Sequence, residues 1–221
     1  MVAAGSTVEA VKAVCSNQVD SAFAIVRPPG HHAHGEIVGG FCFFNNAGVA
    51  ARVAQKQLGV KRVVIFDWDV HVGEGTASIF YDDPSVLYIS IHRFDLGKFY
   101  PGPIGKHERI GESQGKSYNI QWPFNVPSHS TDLIGDKDYI YACESVFFPV
   151  IREFKPDLMI ISAGFDSAKG DPLGGVGVTP LGYAYMTWGL KSLCKKVVAV
   201  LEGGYDLHAL EVSTEAVVRT L

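Results

Sequence analysis

Three side chains that commonly bind metal ions lie within five consecutive residues, at Asp67, Asp69 and His71. They follow an apolar run at residues 63–66 whose β-branched and aromatic side chains predict a buried strand. Alternate residues of an extended chain point to the same side, so these three side chains are expected to face one site. A carboxylate beside an imidazole suits Zn²⁺. A strand that ends in ordinary polar turn residues is the alternative, and this stretch alone does not decide between the two.

Further side chains capable of chemistry follow three other apolar runs, and they are, in chain order, His31, His32, Asp166 and Tyr205. Because parallel strands present their carboxyl ends to one crevice, these side chains are expected to converge on Asp69 and His71. Each of them alone has a simpler explanation, such as a polar loop, a helix cap or a turn with a packed aromatic. Their coincidence at strand ends predicts an active site.

The apolar runs that predict strands lie at residues 22–26, 63–66, 86–91, 158–162 and 197–201. Segments with apolar side chains at helical spacing separate most of these runs, at residues 6–15, 45–58, 136–154 and 180–193. Ser6 and Thr179 are predicted N-caps, and Pro180 is predicted to occupy the first helical position. Alternating strands and helices are typical of an α/β fold with a parallel sheet.

The composition fits one globular domain. The 221 residues include 47% hydrophobic residues and carry a formal net charge of −4, which argues against a basic nucleic-acid-binding surface. No apolar run approaches the ~20 residues of a membrane span, and the first residues lack signal-peptide features, so an intracellular location is expected. The cysteines are too widely spaced for a metal-binding knuckle and are expected to pack as small apolar groups; they are Cys15, Cys42, Cys143 and Cys194.

Six motifs resemble those of one family: RPPGHHA, GFCFFN, DWDVHVGEGT, DPSVLYISIHRFD, SAGFDSAKGDPLGG and LEGGYDL. In this order they span nearly all of the chain, and together they resemble the zinc-dependent histone deacetylases, most closely the class II branch. The resemblance implies an α/β fold in three layers, with a parallel sheet flanked by helices as in arginases and deacetylases. It also implies that residues 1–221 form a single deacetylase catalytic domain lacking N- and C-terminal parts of the family domain, so a bare sheet edge is expected.

The resemblance implies that Asp69, His71 and Asp166 bind one Zn²⁺ and leave positions open for water and substrate. Three protein ligands are typical of catalytic rather than structural zinc. Such a metal polarises an amide carbonyl and lowers the pKa of bound water. The arginase-like enzymes share the general fold but use a second aspartate beside the equivalent of Asp166. This sequence has Ser167 and Ala168 there, so one metal is expected.

The resemblance also assigns the proton carriers and the carbonyl-binding group. It implies that His32 is general base and then general acid, with His31 as its electrostatic partner. Asp67 would orient His31, and Glu74 would partner the general base. Tyr205 would bind the scissile carbonyl and stabilise the oxyanion that follows.

A structural monovalent cation, expected to be K⁺, is implied beside the zinc, held by main-chain oxygens around the zinc-binding strand end, including Asp67, together with Ser90. A second such site would lie near Phe80 and Tyr118. A narrow tube for the methylene stem of a lysine is also implied, with walls and rim formed by Gly40, Phe41, Tyr100 and Leu173. Core packing is the alternative for its two aromatics.

Three positions depart from the family's pattern. Val72 replaces a usual second histidine, and Glu74 replaces a usual Asn or Asp. A glutamate beside the general base has a longer side chain than Asn or Asp. Compared with Asn, it also adds a negative charge. Tyr100 stands where phenylalanine is usual.

The expected function is zinc-dependent hydrolysis of the acetyl amide of Nε-acetyl-lysine in histones or other proteins, with release of acetate. A polyamine-type amidohydrolase is one alternative, which the apolar Leu173 disfavours because an acidic residue there would recognise a second amine. A catalytically impaired binding module is another. Expected partners are acetylated proteins such as histone tails and corepressor complexes, without nucleic acid or membrane, in the nucleus, the cytoplasm or both.

Overall fold

The computed structural model describes residues 1–126 and 134–221. Its centre is a six-stranded parallel sheet with the strand order β1-β6-β5-β2-β3-β4. The strands are β1 (Ser21–Ala24), β2 (Val63–Asp67), β3 (Val86–Arg93), β4 (Asn119–Phe124), β5 (Leu158–Ala163) and β6 (Val197–Leu201). This confirms the predicted α/β class.

Helices cover both faces of the sheet. They are α1 (Val2–Cys15), α2 (Asn46–Gln57), α3 (Glu74–Ile79), α4 (Asp136–Ala142), α5 (Phe148–Phe154), α6 (Pro180–Leu193) and α7 (Leu207–Thr220). A π-helical turn, Cys143–Phe147, joins α4 to α5, and short 3₁₀ turns lie at Asp95–Gly97 and Ser113–Gly115. Among residues 1–126 and 134–221, none of the helices combines the length and the hydropathy that a membrane span requires.

The core lies in two layers because alternate strand residues point to opposite faces of the sheet. Val64 and Phe66 of β2 pack on the side of α4 to α7. Val63 and Ile65 pack on the side of α1 and α2. All five residues of β2 are buried, which explains why its sequence is continuously apolar before Asp67.

The predicted helix ends are partly confirmed. The Thr179 side chain accepts a hydrogen bond from the Gly182 amide, with Pro180 in the first turn, as predicted. Ser6 is not an N-cap, and that prediction was wrong: α1 already begins at Val2. The buried Ala3 and Ala4 pack against the fold, so burial extends the helix back past Ser6.

Three elements were not predicted from the sequence: α3, β4 and α7. Strand β4 lies at a sheet edge and contains Asn119, Gln121 and Pro123, which are unusual in a central strand. The other edge is β1, only four residues long. Among residues 1–126 and 134–221, no further strand pairs with either edge.

The sheet register brings the site residues together. Asp67 at the end of β2 lies between Ser162 of β5 and Ser90 of β3. The turns that follow β2 and β5 therefore leave the sheet side by side. These turns carry Asp69, His71 and Asp166, as expected for the carboxyl end of a parallel sheet.

Candidate active site

Asp69, His71 and Asp166 form a compact group at the carboxyl edge of the sheet. One potential ligand atom from each lies within 4.8 Å of the others. The Nδ1 atom of His71 is 3.0 Å from Oδ1 of Asp69 and 3.0 Å from Oδ2 of Asp166. Both carboxylates are fully buried. The structure thus brings together the three residues predicted as zinc ligands, and it holds no other such group among the described residues.

Main-chain amides fix the two carboxylates in place. The Val70 amide donates to Oδ1 of Asp166 at 2.8 Å, and the Gly203 amide donates to Oδ2 of Asp69 at 2.8 Å. A side chain at Gly203 would collide with both carboxylates, so only glycine allows the main chain to lie this close to them. The ligand geometry is therefore built into the turns after β2, β5 and β6.

The charges of this group suit a divalent cation. Burial and the neighbouring Asp69 raise the pKa of Asp166 to about 7. Burial disfavours the charged form of His71, but bonding to Asp166 and Asp69 outweighs it and raises the pKa of the imidazole to about 10. The two buried carboxylates thus stabilise a positive charge located between them. Zn²⁺ binds such a donor set of two carboxylates and one imidazole, so the residues fit the metal.

His31 and His32 lie beside this group, each bonded to a carboxylate through Nδ1. Nδ1 of His31 is 3.0 Å from Oδ2 of Asp67, and Nδ1 of His32 is 2.6 Å from Oε2 of Glu74. A carboxylate only accepts hydrogen bonds, so Nδ1 of His32 carries the proton and Nε2 keeps its lone pair. Asp67 is thus in contact with His31, and Glu74 with His32.

The two histidines have opposite electrostatic environments. Burial disfavours a charge on His31, but Asp69 and Asp67 outweigh burial and raise its pKa well above the ordinary value. Burial and the charge of His31 lower the pKa of His32 to about 4, although Glu74 acts to raise it. His32 is therefore neutral at pH 7 and available as a base, whereas His31 favours the protonated form.

Two further residues support the histidines, and the sequence did not single them out. The Tyr88 hydroxyl donates to Oδ2 of Asp67 at 2.9 Å and accepts from the Gly73 amide at 3.1 Å. Glu202, fully buried, accepts the amides of Gly30 and His31 at 2.6 and 3.1 Å through Oε2. The sequence signal that could have identified them is a polar residue within an apolar strand, as for Tyr88, or directly after one, as for Glu202.

A cavity of about 300 Å³ opens directly over these groups. Its lining includes the four predicted tube residues, Gly40, Phe41, Tyr100 and Leu173, as well as His31, His32, Asp69, His71 and Tyr205. The ring centroids of Phe41 and Tyr205 are 6.0 Å apart, and those of His32 and Tyr100 are 5.1 Å apart. Gly40 has φ +52°, and a side chain there would collide with the His32 ring. The aromatics thus form walls, not core packing.

The residues predicted to bind a monovalent cation fall into two groups. Ser90 is the register neighbour of Asp67, and its hydroxyl bonds to Nδ1 of His92 at 2.8 Å. Phe80 and Tyr118 lie elsewhere, where their carbonyls accept the amides of Asp83 and Tyr88. The structure places the first group beside the turn that carries Asp69 and His71 and the second away from it.

Comparison with known proteins gives the same family over the whole chain. The model of the histone deacetylase domain matches residues 1–221. Histone deacetylase HDA1 of Candida albicans is 48% identical over 221 residues, which cover 98% of this chain and 26% of that protein. Histone deacetylase clr3 of Schizosaccharomyces pombe is 48% identical over 225 residues, covering 99% of this chain and 32% of that protein. This chain belongs to the histone deacetylase domain family.

A solved structure agrees with the fold. The crystal structure of the HDA15 HD domain matches with a TM-score of 0.92 at 48% sequence identity, covering 98% of this chain and 61% of that one. The three-layer arginase/deacetylase-like architecture is therefore confirmed. The chain spans about a quarter to a third of the length of the fungal histone deacetylases described above.

The Glu74–His32 contact predicts a shift in pH dependence. Since Glu74 acts to raise the pKa of His32, its replacement by neutral asparagine is expected to lower that pKa. The resemblance implies that His32 is the general base of deacetylation, and the acidic limb of a kcat/KM profile reports protonation of such a base, so in Glu74→Asn this limb should move to lower pH. The alkaline limb and the zinc content should change little.

The pH profiles of wild type and Glu74→Asn provide the measurement. Glu36→Gln is a matched control, because Glu36 is an exposed glutamate in the loop that follows His32. Its profile should coincide with that of the wild type. Superimposable acidic limbs for Glu74→Asn would show that Glu74 does not set the pKa of His32.

Proposed function

We propose that this chain hydrolyses the acetyl amide of Nε-acetyl-lysine in histones or other proteins and releases acetate. One observation carries the proposal: Asp69 and His71 line one cavity with aromatic walls together with His32 and Tyr205, and the buried Asp166 completes the metal-binding triad behind His71. A flexible lysine stem fits such a tube, and the groups at its base are those that amide cleavage requires.

Asp69, His71 and Asp166 would hold the zinc ion. When bound, zinc supplies Lewis-acid polarisation of the amide carbonyl and lowers the pKa of water. The number and types of these three ligands fit a catalytic zinc site, in which the protein ligands leave room for substrate.

His32 accepts and returns the proton. Its Nε2 atom is the free base because Nδ1 is bonded to Glu74. It takes a proton as water attacks the carbonyl carbon and returns it to the lysine amine as that group leaves. His31, held by Asp67, contributes a positive charge that favours the anionic transition state.

Tyr205 donates a hydrogen bond to the carbonyl oxygen. Burial and the nearby Asp69 and Asp166 raise the pKa of its hydroxyl above the ordinary value. The hydroxyl therefore remains protonated at neutral pH and can stabilise the developing oxyanion. Tyr205 lines the cavity opposite Phe41.

The proposed function is tested with the protein as purified, by metal analysis together with release of acetate from an acetyl-lysine peptide. We expect one zinc per chain and turnover that a chelator removes. Zinc-loaded, folded protein without turnover would refute the proposal. It would favour a binding module instead.

Potassium beside Asp67 and Ser90, and a second site near Phe80 and Tyr118, belong to the same proposal. Their support is the family resemblance and the proximity of Asp67 to Ser90. Acetylated histone tails as substrates, corepressor complexes as partners and action in the nucleus, the cytoplasm or both are inferred from the family in the same way.

Leu173 at the rim favours peptide substrates over polyamines. Its apolar side chain lines the cavity and is about half exposed, at 47%. In Leu173→Glu, a carboxylate would pair with the distal ammonium of an acetylated polyamine, so preference should shift toward that substrate by roughly tenfold or more.

Competing assays with an acetyl-lysine peptide and N-acetylspermidine measure this shift in kcat/KM. Leu173→Met is the matched control, because it keeps an apolar rim of similar volume. If the wild type were already faster on the polyamine, the function would be that of a small-molecule amidohydrolase.

A further inference from the structure

The main chain that carries Tyr205 belongs to no helix or strand. Strand β6 ends at Leu201 and α7 begins at Leu207, and Gly204 and Tyr205 between them form no ladder or helical bonds. Their position depends on individual contacts. Gly203 donates to Asp69, and the Gly204 carbonyl accepts a hydrogen bond from Nη2 of Arg27 at 2.8 Å.

Asp171 supplies the contact to Tyr205 itself. Its Oδ2 atom accepts the Tyr205 amide at 2.7 Å. Its Oδ1 atom accepts the amides of Leu173 and Gly174 at 2.8 and 3.2 Å. The side chain is 8% exposed and does not line the cavity. One carboxylate therefore bonds to the loop that carries the rim leucine and to the segment that carries the tyrosine.

We propose that Asp171 is a positioning residue that sets the place of Tyr205 relative to the rim and the metal-binding group. The proposal rests on the proposed function, since it gives Tyr205 its role. Gly174 strengthens the connection, because a side chain there would collide with the main-chain carbonyl of Asp166. The loop held by Asp171 thus packs directly on a predicted zinc ligand.

Asparagine in place of Asp171 tests this arrangement without changing the size of the side chain. The carboxylate accepts three amide hydrogens, two on one oxygen and one on the other. An asparagine has one oxygen and one NH₂ group, so either orientation sets a donor against an amide donor. At least one of the three bonds is lost. The orientation that keeps the most bonds breaks the one to Tyr205.

We expect Asp171→Asn to lower kcat about 10-fold to 100-fold, the scale on which small misplacements of reacting groups act, with a smaller change in KM and full zinc content. Asp206→Asn is the matched control. Asp206 directly follows Tyr205 and caps α7 by accepting the Ala209 amide at 2.7 Å, a task that asparagine performs equally well. Its kinetics should match the wild type.

A double variant separates positioning from general damage. If Asp171 acts through the Tyr205 hydroxyl, Asp171→Asn should change kcat by less than about 3-fold in a Tyr205→Phe background. An equal loss in both backgrounds would overturn the proposal. So would wild-type kcat in the single variant.

A spectroscopic readout keeps the test independent of turnover. In zinc-loaded protein labelled with ¹⁵N-tyrosine, the Tyr205 amide is identified by its absence in Tyr205→Phe. It should exchange slowly with solvent in the wild type and in Asp206→Asn, and faster in Asp171→Asn. A fast-exchanging Tyr205 amide in the wild type would overturn the proposal even if the variant did not fold. If the Tyr205 amide is protected but the protein does not deacetylate the peptide, the result contradicts the proposed function and not the contact with Asp171.

Discussion

Replacing His71 or Asp166 by alanine is expected to abolish deacetylation and to leave no zinc above background. The three predicted ligand atoms lie within 4.8 Å of one another, and no other group of this kind is present in the described part of the chain. If one ligand is removed, no second group of this kind in the described part of the chain can bind the metal instead. A three-ligand site also has no redundancy, since its remaining positions serve water and substrate.

Elemental analysis and peptide deacetylation, measured on the same preparation, check this prediction. His208→Ala is the matched control for His71, because His208 is an exposed histidine on α7. It should keep both zinc and activity. Stoichiometric zinc with near-wild-type turnover in either variant would show that the ligands are wrongly assigned.

Asp166 also has a structural task, since its Oδ1 atom accepts the Val70 amide. Alanine would leave that buried amide without an acceptor, at a cost of about 1–3 kcal/mol. Asp166→Asn is the better second variant, because its amide oxygen can keep this bond. We expect it to fold and still to lose zinc, as one anionic ligand is gone.

The convergence of Asp69, His71 and Asp166 could be predicted because it depends on local pattern. Asp69 and His71 follow one apolar strand, and Asp166 follows another. The rule that parallel strands end at one crevice joins the two segments without knowledge of the strand order. The sheet order then makes β2 and β5 direct neighbours, so the turns that carry these three residues lie side by side.

The supporting contacts could not be predicted, because they join distant segments through the register of the fold. Glu202 accepts the Gly30 amide across 172 positions of sequence, and Tyr205 donates to Asp171 across 34. Neither spacing forms a motif. Such bonds depend on which turn lies beside which, and the strand order was not available from hydrophobic pattern alone.

The missed elements have a different cause. Strand β4 lies at an edge, where a proline and amide side chains are tolerated, so its apolar pattern is weak. Helix α7 buries Ala209, Ser213 and Val217, a stripe of small side chains with little hydrophobic signal. The predicted helix at residues 136–154 is present but contains the π turn Cys143–Phe147, which periodicity does not reveal.

Tyr205→Phe removes a single oxygen atom and is expected to lower kcat about 10²-fold or more, the scale for loss of one oxyanion donor. Zinc content should remain that of the wild type, because Tyr205 is not among the three predicted ligands. KM should change less than kcat, since the hydrogen bond strengthens as charge develops on the carbonyl oxygen.

The substituted phenylalanine keeps the ring packing against Phe41, and its main-chain amide keeps the hydrogen bond to Asp171. Tyr185→Phe is the control: that hydroxyl bonds to Glu144 on the outer surface, so its loss should leave turnover unchanged. Steady-state kinetics with metal analysis decide the matter. A folded, zinc-loaded Tyr205→Phe protein with an unchanged rate would mean that the carbonyl oxygen is stabilised by some other group than this tyrosine.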